Sequence, residues 1–115
     1  MLRSIKTNQR LERELAFLVT GTGTAAITVG ADLATLVDNS TGNYTLTYAK
    51  PFARQPVVVG TTATDVTTLR IVTSTASAVN IECVGADQTT ATDAVFHLIV
   101  KGWDTSEEYA EPEGV

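Results

Sequence analysis

Cysteine and histidine are nearly absent from this 115-residue chain, which has one residue of each type, Cys83 and His97. A single cysteine cannot form a disulfide within the chain. The two residues together are also too few for a structural zinc site, which takes four such ligands. We therefore expect one domain held together by its own core, with no metal centre. A chain of this length can bury roughly two-thirds of the surface that its unfolded form exposes.

Long apolar runs and an excess of positive charge are also missing. No apolar stretch approaches the ~20 residues of a membrane-spanning helix. The run LAFLV is too short for the hydrophobic region of a secretory signal. A formal net charge of −5 argues against nucleic acid and anionic membranes as partners, because either needs a basic stripe. We expect a protein made in a host cytoplasm, with neither of these partners.

Groups suited to catalysis are equally scarce. His97 stands between two apolar residues and is interpreted as a structural or interface histidine, and Cys83 as a buried, inert thiol. No G-x-S-x-G nucleophile elbow occurs, and the glycines of TGTGTAAITVG are not followed by a phosphate-binding lysine. The acids of GADQTTATD lack the spacing of a calcium-binding EF-hand loop. The sequence predicts a protein that is not an enzyme and needs no cofactor.

Threonine, by contrast, is abundant, with twenty copies, and it suits the outer face of β-strands. Apolar and polar residues alternate in segments separated by turn-rich sequence: ELAFLVT, TAAITVG, NYTLTYA, VVVGTTA, VTTLRIVTST, AVNIECVG and AVFHLIVKGW. In AVNIECVG the pattern directs Val79, Ile81 and Cys83 inward. The segment ADLATLVDNSTG fits a helical turn or a short strand equally well. Seven or eight strands at roughly ten-residue spacing predict an all-β fold, either an antiparallel β-sandwich or a jelly-roll-like barrel.

The two ends of the chain carry opposite charge. Half of the basic residues fall in the first thirteen positions: Arg3, Lys6, Arg10 and Arg13. Five of the thirteen acidic residues fall in the last twelve positions. We interpret residues 1–13 as an extended or partly helical basic arm, residues 14–104 as the sandwich domain and residues 105–115 as an acidic tail. The two ends could pair within a subunit, pair between subunits or remain solvated.

The last predicted strand is largely apolar on both faces. The last strand alternates one apolar set with another that is largely apolar: Phe96, Leu98 and Val100 against Val95, His97, Ile99, Lys101 and Trp103. A strand of this kind is either central in a thick core or covered by a neighbouring subunit. The face formed by Tyr44, Leu46 and Tyr48 raises the same question. We therefore predict self-association, with these residues as subunit-interface candidates: Tyr44, Tyr48, His97, Ile99 and Trp103.

Two segments resemble known proteins. Residues 42–59 (GNYTLTYAKPFARQPVVV) resemble a segment of small β-sandwich virion proteins of tailed bacteriophages, and residues 96–104 (FHLIVKGWD) resemble their closing strand. The first segment is also similar to part of the H-type lectin domain. The resemblance implies that Phe52 fills a corner between two strands and that Pro56 starts the second of them. It implies a virion component, commonly trimeric, that decorates a capsid or belongs to a tail tip or fibre.

The first functional hypothesis is therefore a capsid decoration protein, located in the virion, that binds the major capsid protein or another virion protein as a homo-oligomer, expected to be a trimer. The basic residues of the arm would then contact an acidic capsid surface. The alternative is a glycan-binding tip or lectin-like module of a tail fibre, or a tail or baseplate component. A bound glycan would need an exposed aromatic platform, for which the candidates are Trp103, Tyr44, Tyr48 and Tyr109.

Overall fold

A computed structural model of the chain describes residues 12–104. Within that range the chain forms eight β-strands and no helix. The strands are β1 (Glu12–Thr20), β2 (Ala26–Val29), β3 (Ala34–Ser40), β4 (Asn43–Tyr48), β5 (Val57–Thr62), β6 (Thr68–Ser74), β7 (Ala78–Val84) and β8 (Val95–Trp103). They build two separate four-stranded antiparallel sheets, so the predicted β-sandwich is confirmed.

Sheet I has the strand order β2-β1-β8-β5, and sheet II has the order β3-β4-β7-β6. The first and last strands pair at the centre of sheet I along their whole length, from Glu12 opposite Trp103 to Thr20 opposite Val95. The described part of the chain therefore begins and ends at the same end of the sandwich. The pairing already includes Glu12, two residues before the boundary expected from the sequence.

The segment that the sequence left open between helix and strand is strand β3. It pairs with β4 as a hairpin, with Leu36 opposite Leu46 and Val37 opposite Thr45. Leu36 packs against the core, whereas Val37 is exposed. The strand is favoured over the helical turn because β4 provides a complete ladder of hydrogen-bond partners, which one isolated helical turn does not have.

Alternating side chains from both sheets meet in one core. The buried apolar residues of the central strands are Leu15, Phe17, Val19, Tyr44, Leu46, Tyr48, Val79, Ile81, Cys83, Phe96, Leu98 and Val100. The inward direction predicted for Val79, Ile81 and Cys83 is confirmed. Burial raises the pKa of the Cys83 thiol to about 11. The thiol is thus protonated at neutral pH, as expected of an inert core cysteine.

The corner between β4 and β5 is filled by Phe52, as the resemblance implied. The Phe52 side chain is buried, and its ring meets that of Tyr48 edge to face at a centroid distance of 5.3 Å. Gly102 lies so close that a Cβ atom there would approach Phe52 Cδ1 to 2.6 Å. Strand β5 begins directly after Pro56. The corner therefore joins the two sheets through an aromatic contact at the end where the described chain begins and ends.

Candidate interaction surface

The outer face of sheet I is largely apolar because the strand register aligns outward-pointing side chains in rows. Ala16, Ile99 and Val59 are neighbours across β1, β8 and β5. Leu18 lies opposite Val29 of the edge strand β2. Ile99 is 38% exposed and Val59 is 57% exposed. We call six residues of this face the sheet I patch: Ala16, Leu18, Val29, Val57, Val59 and Ile99.

Charged residues border the sheet I patch at one end. Glu14 lies opposite Lys101 in the ladder, and the Lys101 Nζ atom is 3.8 Å from Glu12 Oε1. Both partners of this ion pair are about half exposed, so it contributes little to stability. Exposed apolar surface with a polar border is typical of a protein–protein contact site.

The outer face of sheet II is mostly polar, although Val37 is exposed on it, and its polar side chains hydrogen-bond to one another. Asn39 Nδ2 donates to Asn43 Oδ1 and to Thr45 Oγ1, each at 2.8 Å. Asn80 Nδ2 donates to the same two oxygens at 3.0 Å. Farther along this face an ion pair joins Arg70 and Glu82. The two outer faces of the sandwich therefore differ in chemistry, and the sheet I face is the one suited to contact another protein.

Three of the five interface candidates lie on the sheet I face. His97 and Ile99 point outward from β8 and are exposed, and Trp103 is partly buried at the end of the strand. Each of them can therefore still belong to a contact between subunits. Their participation in such a contact stays a prediction.

Tyr44 and Tyr48 were wrongly expected at a subunit interface. Both are core residues, and the Tyr44 ring packs against that of Phe96 at a centroid distance of 5.4 Å. β4 is a central strand of sheet II, and its aromatic face is the one turned toward sheet I. A second subunit cannot reach these rings without opening the sandwich.

Arg13 was wrongly assigned to the basic arm. It lies in β1, and its Nη2 atom donates to Asp104 Oδ1 at 2.7 Å and to the Pro51 carbonyl oxygen at 3.0 Å. Its guanidinium carbon sits 4.1 Å from the centroid of the Phe52 ring, and only 19% of the side chain is exposed. Arg13 thus closes the end of the sandwich, where its guanidinium is already paired with Asp104.

The other residues of the arm, Arg3, Lys6 and Arg10, lie outside the described residues, as does the acidic tail of residues 105–115. Their proposed contacts stay predictions. Glu12, the first described residue, lies on β1, the strand that pairs with the last strand.

A buried hydrogen-bond network that sequence reasoning missed joins three loops. The Tyr44 hydroxyl donates to Asp93 Oδ1 at 2.6 Å and lies 3.1 Å from the Gly21 carbonyl oxygen. The Gly42 amide also donates to Asp93 Oδ1, at 2.8 Å. Burial and the neighbouring Asp93 raise the pKa of Tyr44 well above its usual range. No local pattern could reveal this contact, because Asp93 is 49 positions from Tyr44.

Tyr48, four residues along the same face, has a different environment. Its hydroxyl is buried and has no hydrogen-bond partner among residues 12–104. Burial raises the pKa of Tyr48 to about 12. The two tyrosines therefore form a matched pair, one with its hydroxyl paired and one without.

We expect opposite results from removing these two hydroxyls. Tyr44→Phe should lower the free energy of unfolding by about 1–3 kcal/mol, because Asp93 loses a buried donor. Tyr48→Phe should leave it unchanged or raise it by about 1 kcal/mol, because a buried hydroxyl without a partner is removed. Urea denaturation at pH 7 measures both. Equal losses in the two variants would contradict this assignment.

The alkaline limb of the stability curve provides a second readout of Tyr48. A phenol whose pKa is raised by folding favours the folded state fully below its unfolded pKa, here 10. That contribution is lost as the pH rises from 10 to 12. Tyr48→Phe should therefore reduce the loss of stability over this window.

The candidate chemical groups are not brought together. His97 points outward from sheet I, whereas Cys83 points into the core from sheet II. No group of three metal-ligating side chains occurs within residues 12–104. Asp87 accepts hydrogen bonds from the Thr90 hydroxyl and from the amides of Thr90 and Thr89, which lower its pKa and make it a loop-stabilising acid. No helix of the described range is long and apolar enough to cross a membrane.

The chain was compared with protein-family models, with curated proteins and with solved structures, and none of the three comparisons gives a match. The fold and the surface define a class of protein, a two-sheet antiparallel sandwich. One of its outer faces is largely apolar, and the polar side chains of the other hydrogen-bond to one another. The outer face of sheet I is therefore the candidate interaction surface of this fold.

Proposed function

We propose that the chain is a structural protein of a phage virion that binds the outer surface of the capsid as an oligomer. The observation that supports this most directly is the sheet I patch, an exposed apolar surface opposite a polar face that is already hydrogen-bonded. The resemblance of residues 42–59 and 96–104 to phage virion proteins supports the class of partner. In this proposal the outer face of sheet I is covered by another subunit of the particle.

The energetics favour covering that face. Burial of apolar surface contributes roughly 25 cal/mol per Å². On the sheet I face, Val59 is 57% exposed and Ile99 beside it is 38% exposed. The Asn–Thr network of sheet II has no comparable gain from burial, because its amides already have partners. The particle is therefore expected to contact sheet I, leaving sheet II toward solvent.

The basic residues that precede Glu12 fit the same orientation. Arg10 is two positions from the start of β1 and Arg3 is nine positions away. At no more than about 3.6 Å per residue, the chain length limits Arg10 to about 7 Å and Arg3 to about 32 Å from Glu12, which belongs to the charged border of the sheet I patch. Their charge complements an acidic shell, which steers the encounter and sets its orientation.

A co-sedimentation experiment with matched variants tests the proposal. Capsids that lack this chain, assembled from the major capsid protein of the same genome, are mixed with wild-type, Ile99→Glu or Val37→Glu protein. Val37 is exposed to a similar extent, at 48%, but lies on the outer face of sheet II. We expect Ile99→Glu to weaken binding at least tenfold and Val37→Glu to change it less than twofold.

The Val37→Glu control distinguishes an effect of the sheet I face on binding from an effect of charge alone, since both variants add one negative charge. An equal loss in both would show general repulsion and contradict a role of the sheet I face. Failure of the wild-type protein to bind capsids would contradict the proposal as a whole. Binding to purified tails in place of heads would favour the tail or baseplate alternative.

Two of the four aromatic residues proposed as a glycan-binding platform are not at the surface. Tyr44 and Tyr48 are in the core, and Tyr109 lies outside the described residues. Trp103 is the remaining candidate within residues 12–104, partly buried at the end of sheet I. A saturable ligand on a glycan array, lost in Trp103→Ala with the fold intact, would favour this alternative over capsid decoration.

A further inference from the structure

Three of the four edge strands within residues 12–104 carry features that prevent pairing with another chain. Edge strands present unpaired backbone groups, and proteins usually protect them by shortness, charge or bulges. β2 has only four residues. β3 contains Asp38 and has a register shift before Ser40, and β6 contains Arg70 and has a register shift between Ile71 and Thr73. The β6 shift places Val72 at a bulge, where the sequence had predicted regular alternation.

The fourth edge strand, β5, has none of these features. Its sequence VVVGTT spans six residues with no charge and no proline, and it pairs with β8 without a register shift. A strand that is long, uncharged and regular is a template for pairing with another strand. β5 is therefore the edge of the described fold that is open to another chain.

The ladder shows which backbone groups of β5 are free. The Ala63 amide donates to the Val95 carbonyl oxygen at 2.7 Å, which marks this pair as hydrogen-bonded. Hydrogen-bonded pairs alternate with non-bonded pairs along an antiparallel ladder. Val59 therefore bonds to β8, whereas Val58 and Gly60 direct their N–H and C=O groups away from it. β8 is the strand paired with β5 within residues 12–104, so these groups have no ladder partner there.

We propose that β5 is a self-association edge, which pairs antiparallel with β5 of a second copy about a two-fold axis at Val59. This inference rests on the self-association included in the proposed function and names its surface and symmetry. In this register the outward groups of Val58 bond with those of Gly60 of the second copy. The two copies of sheet I then form one continuous eight-stranded sheet.

The strand is complementary to itself in this register. Gly60 has no side chain, and its own subunit forbids one, because a Cβ there would lie 2.5 Å from Leu98 Cδ2 and from the His97 carbonyl oxygen. Val58 of the second copy lies opposite and covers this bare position. Val59 meets Val59 of the second copy on the outer face, an apolar pair of β-branched side chains. No like charges meet across the pair, because β5 contains no charged residue.

The pairing also explains exposed apolar surface near this edge. β6 lies beside β5 at this edge of the sandwich, and its residues Ile71 and Val72 are exposed. A second copy at β5 would cover part of this surface. It would also place two sheet I patches side by side, which doubles the apolar area offered to a capsid. The inferred unit contains two copies, in contrast to the trimer expected from the resemblance.

Disulfide trapping tests the edge and its register in the full-length protein. Across the two-fold axis the Val59 residues form a non-bonded pair with Cα atoms about 4.5 Å apart, within the range of a disulfide. The Val57 residues, equally exposed on the same strand, would be about 13 Å apart, since they are offset by four residues. Under mild oxidation we expect Val59→Cys to form covalent dimers and Val57→Cys to remain mostly monomeric. Cys83 is buried and does not compete.

The outcomes are distinct. Linkage of both variants to the same extent, or linkage of Val57→Cys alone, would overturn the register, and linkage of neither would overturn the edge. Light scattering provides an independent measurement: we expect a dimer for wild type, a dimer for Val29→Lys, and at least a tenfold higher dimer dissociation constant for Val59→Lys. Val29 is a matched control, 54% exposed on the opposite edge strand. A wild-type monomer or trimer would overturn the inference, whereas capsid binding is measured separately and tests the proposed function.

Discussion

Replacing Phe52 with alanine is expected to lower the free energy of unfolding by about 3–5 kcal/mol, the range for removal of a large buried aromatic side chain. Phe52 is buried at the corner between β4 and β5 and contacts the Tyr48 ring edge to face. The Arg13 guanidinium lies over its other side, and Gly102 approaches it closely. Loss of the ring would leave a cavity that these rigid neighbours cannot fill. Urea denaturation followed by circular dichroism measures the change.

A conservative variant at the same position tests whether the loss of stability comes from the lost apolar volume. Phe52→Leu retains most of the apolar volume, so its loss should be clearly smaller than that of the alanine variant. If Phe52→Ala lowers the free energy of unfolding by less than about 1 kcal/mol, the corner can collapse around the missing ring. That result would contradict the role assigned to Phe52.

Gly42→Ala should be the second severe substitution, with a loss of more than about 4 kcal/mol, a size typical of buried clashes and backbone strain. Gly42 has a φ of 71°, in the left-handed region. A Cβ atom there would lie 2.6 Å from the Thr92 amide nitrogen and 2.7 Å from the Cys83 carbonyl oxygen. Both are backbone atoms of neighbouring elements, so neither can rotate away.

Gly23 provides the matched control for this substitution. Its φ is 69°, almost the same, but a Cβ atom there would meet nothing within 4 Å. Gly23→Ala should therefore cost only the left-handed strain, about 1–2 kcal/mol. Thermal and urea denaturation of the two variants separate the clash from the strain. Similar losses in both would mean that the close approach at Gly42 relaxes freely.

The strands and the fold class could be predicted because their signals are local. Alternation of apolar and polar residues has a period of two in a strand, and turn residues mark where each strand ends. Val79, Ile81 and Cys83 were placed inward correctly on this basis. β3 was ambiguous because one helical turn and a short strand satisfy the same few apolar positions. Pairing with β4 favours the strand over the helical turn.

The errors arose where distant parts of the chain determine a residue's surroundings. Alternation defines two faces of a strand but does not say which one meets the other sheet, so Tyr44 and Tyr48 were placed at an interface. Arg13 looked like part of a basic arm because its partner Asp104 is 91 positions away. The order in which strands pair is likewise set by the whole fold.

The interaction surface was only partly visible for the same reason. Ile99 and His97 were identified because they break the expected polar outer face of the last strand. Their neighbours Ala16 and Val59 come from strands remote in sequence, and only the register places them beside Ile99. The open edge of β5 could not be recognised before the strand was known to be an edge.

Electron cryomicroscopy of the assembled particle tests the central claim, that this chain acts by presenting the outer face of sheet I to another subunit. We expect density for the chain on the outer capsid surface, with Ile99 and Val59 against a neighbouring protein and the Asn–Thr face of sheet II in solvent. Density that leaves the sheet I patch open to solvent, or heads that lack the chain altogether, would contradict it.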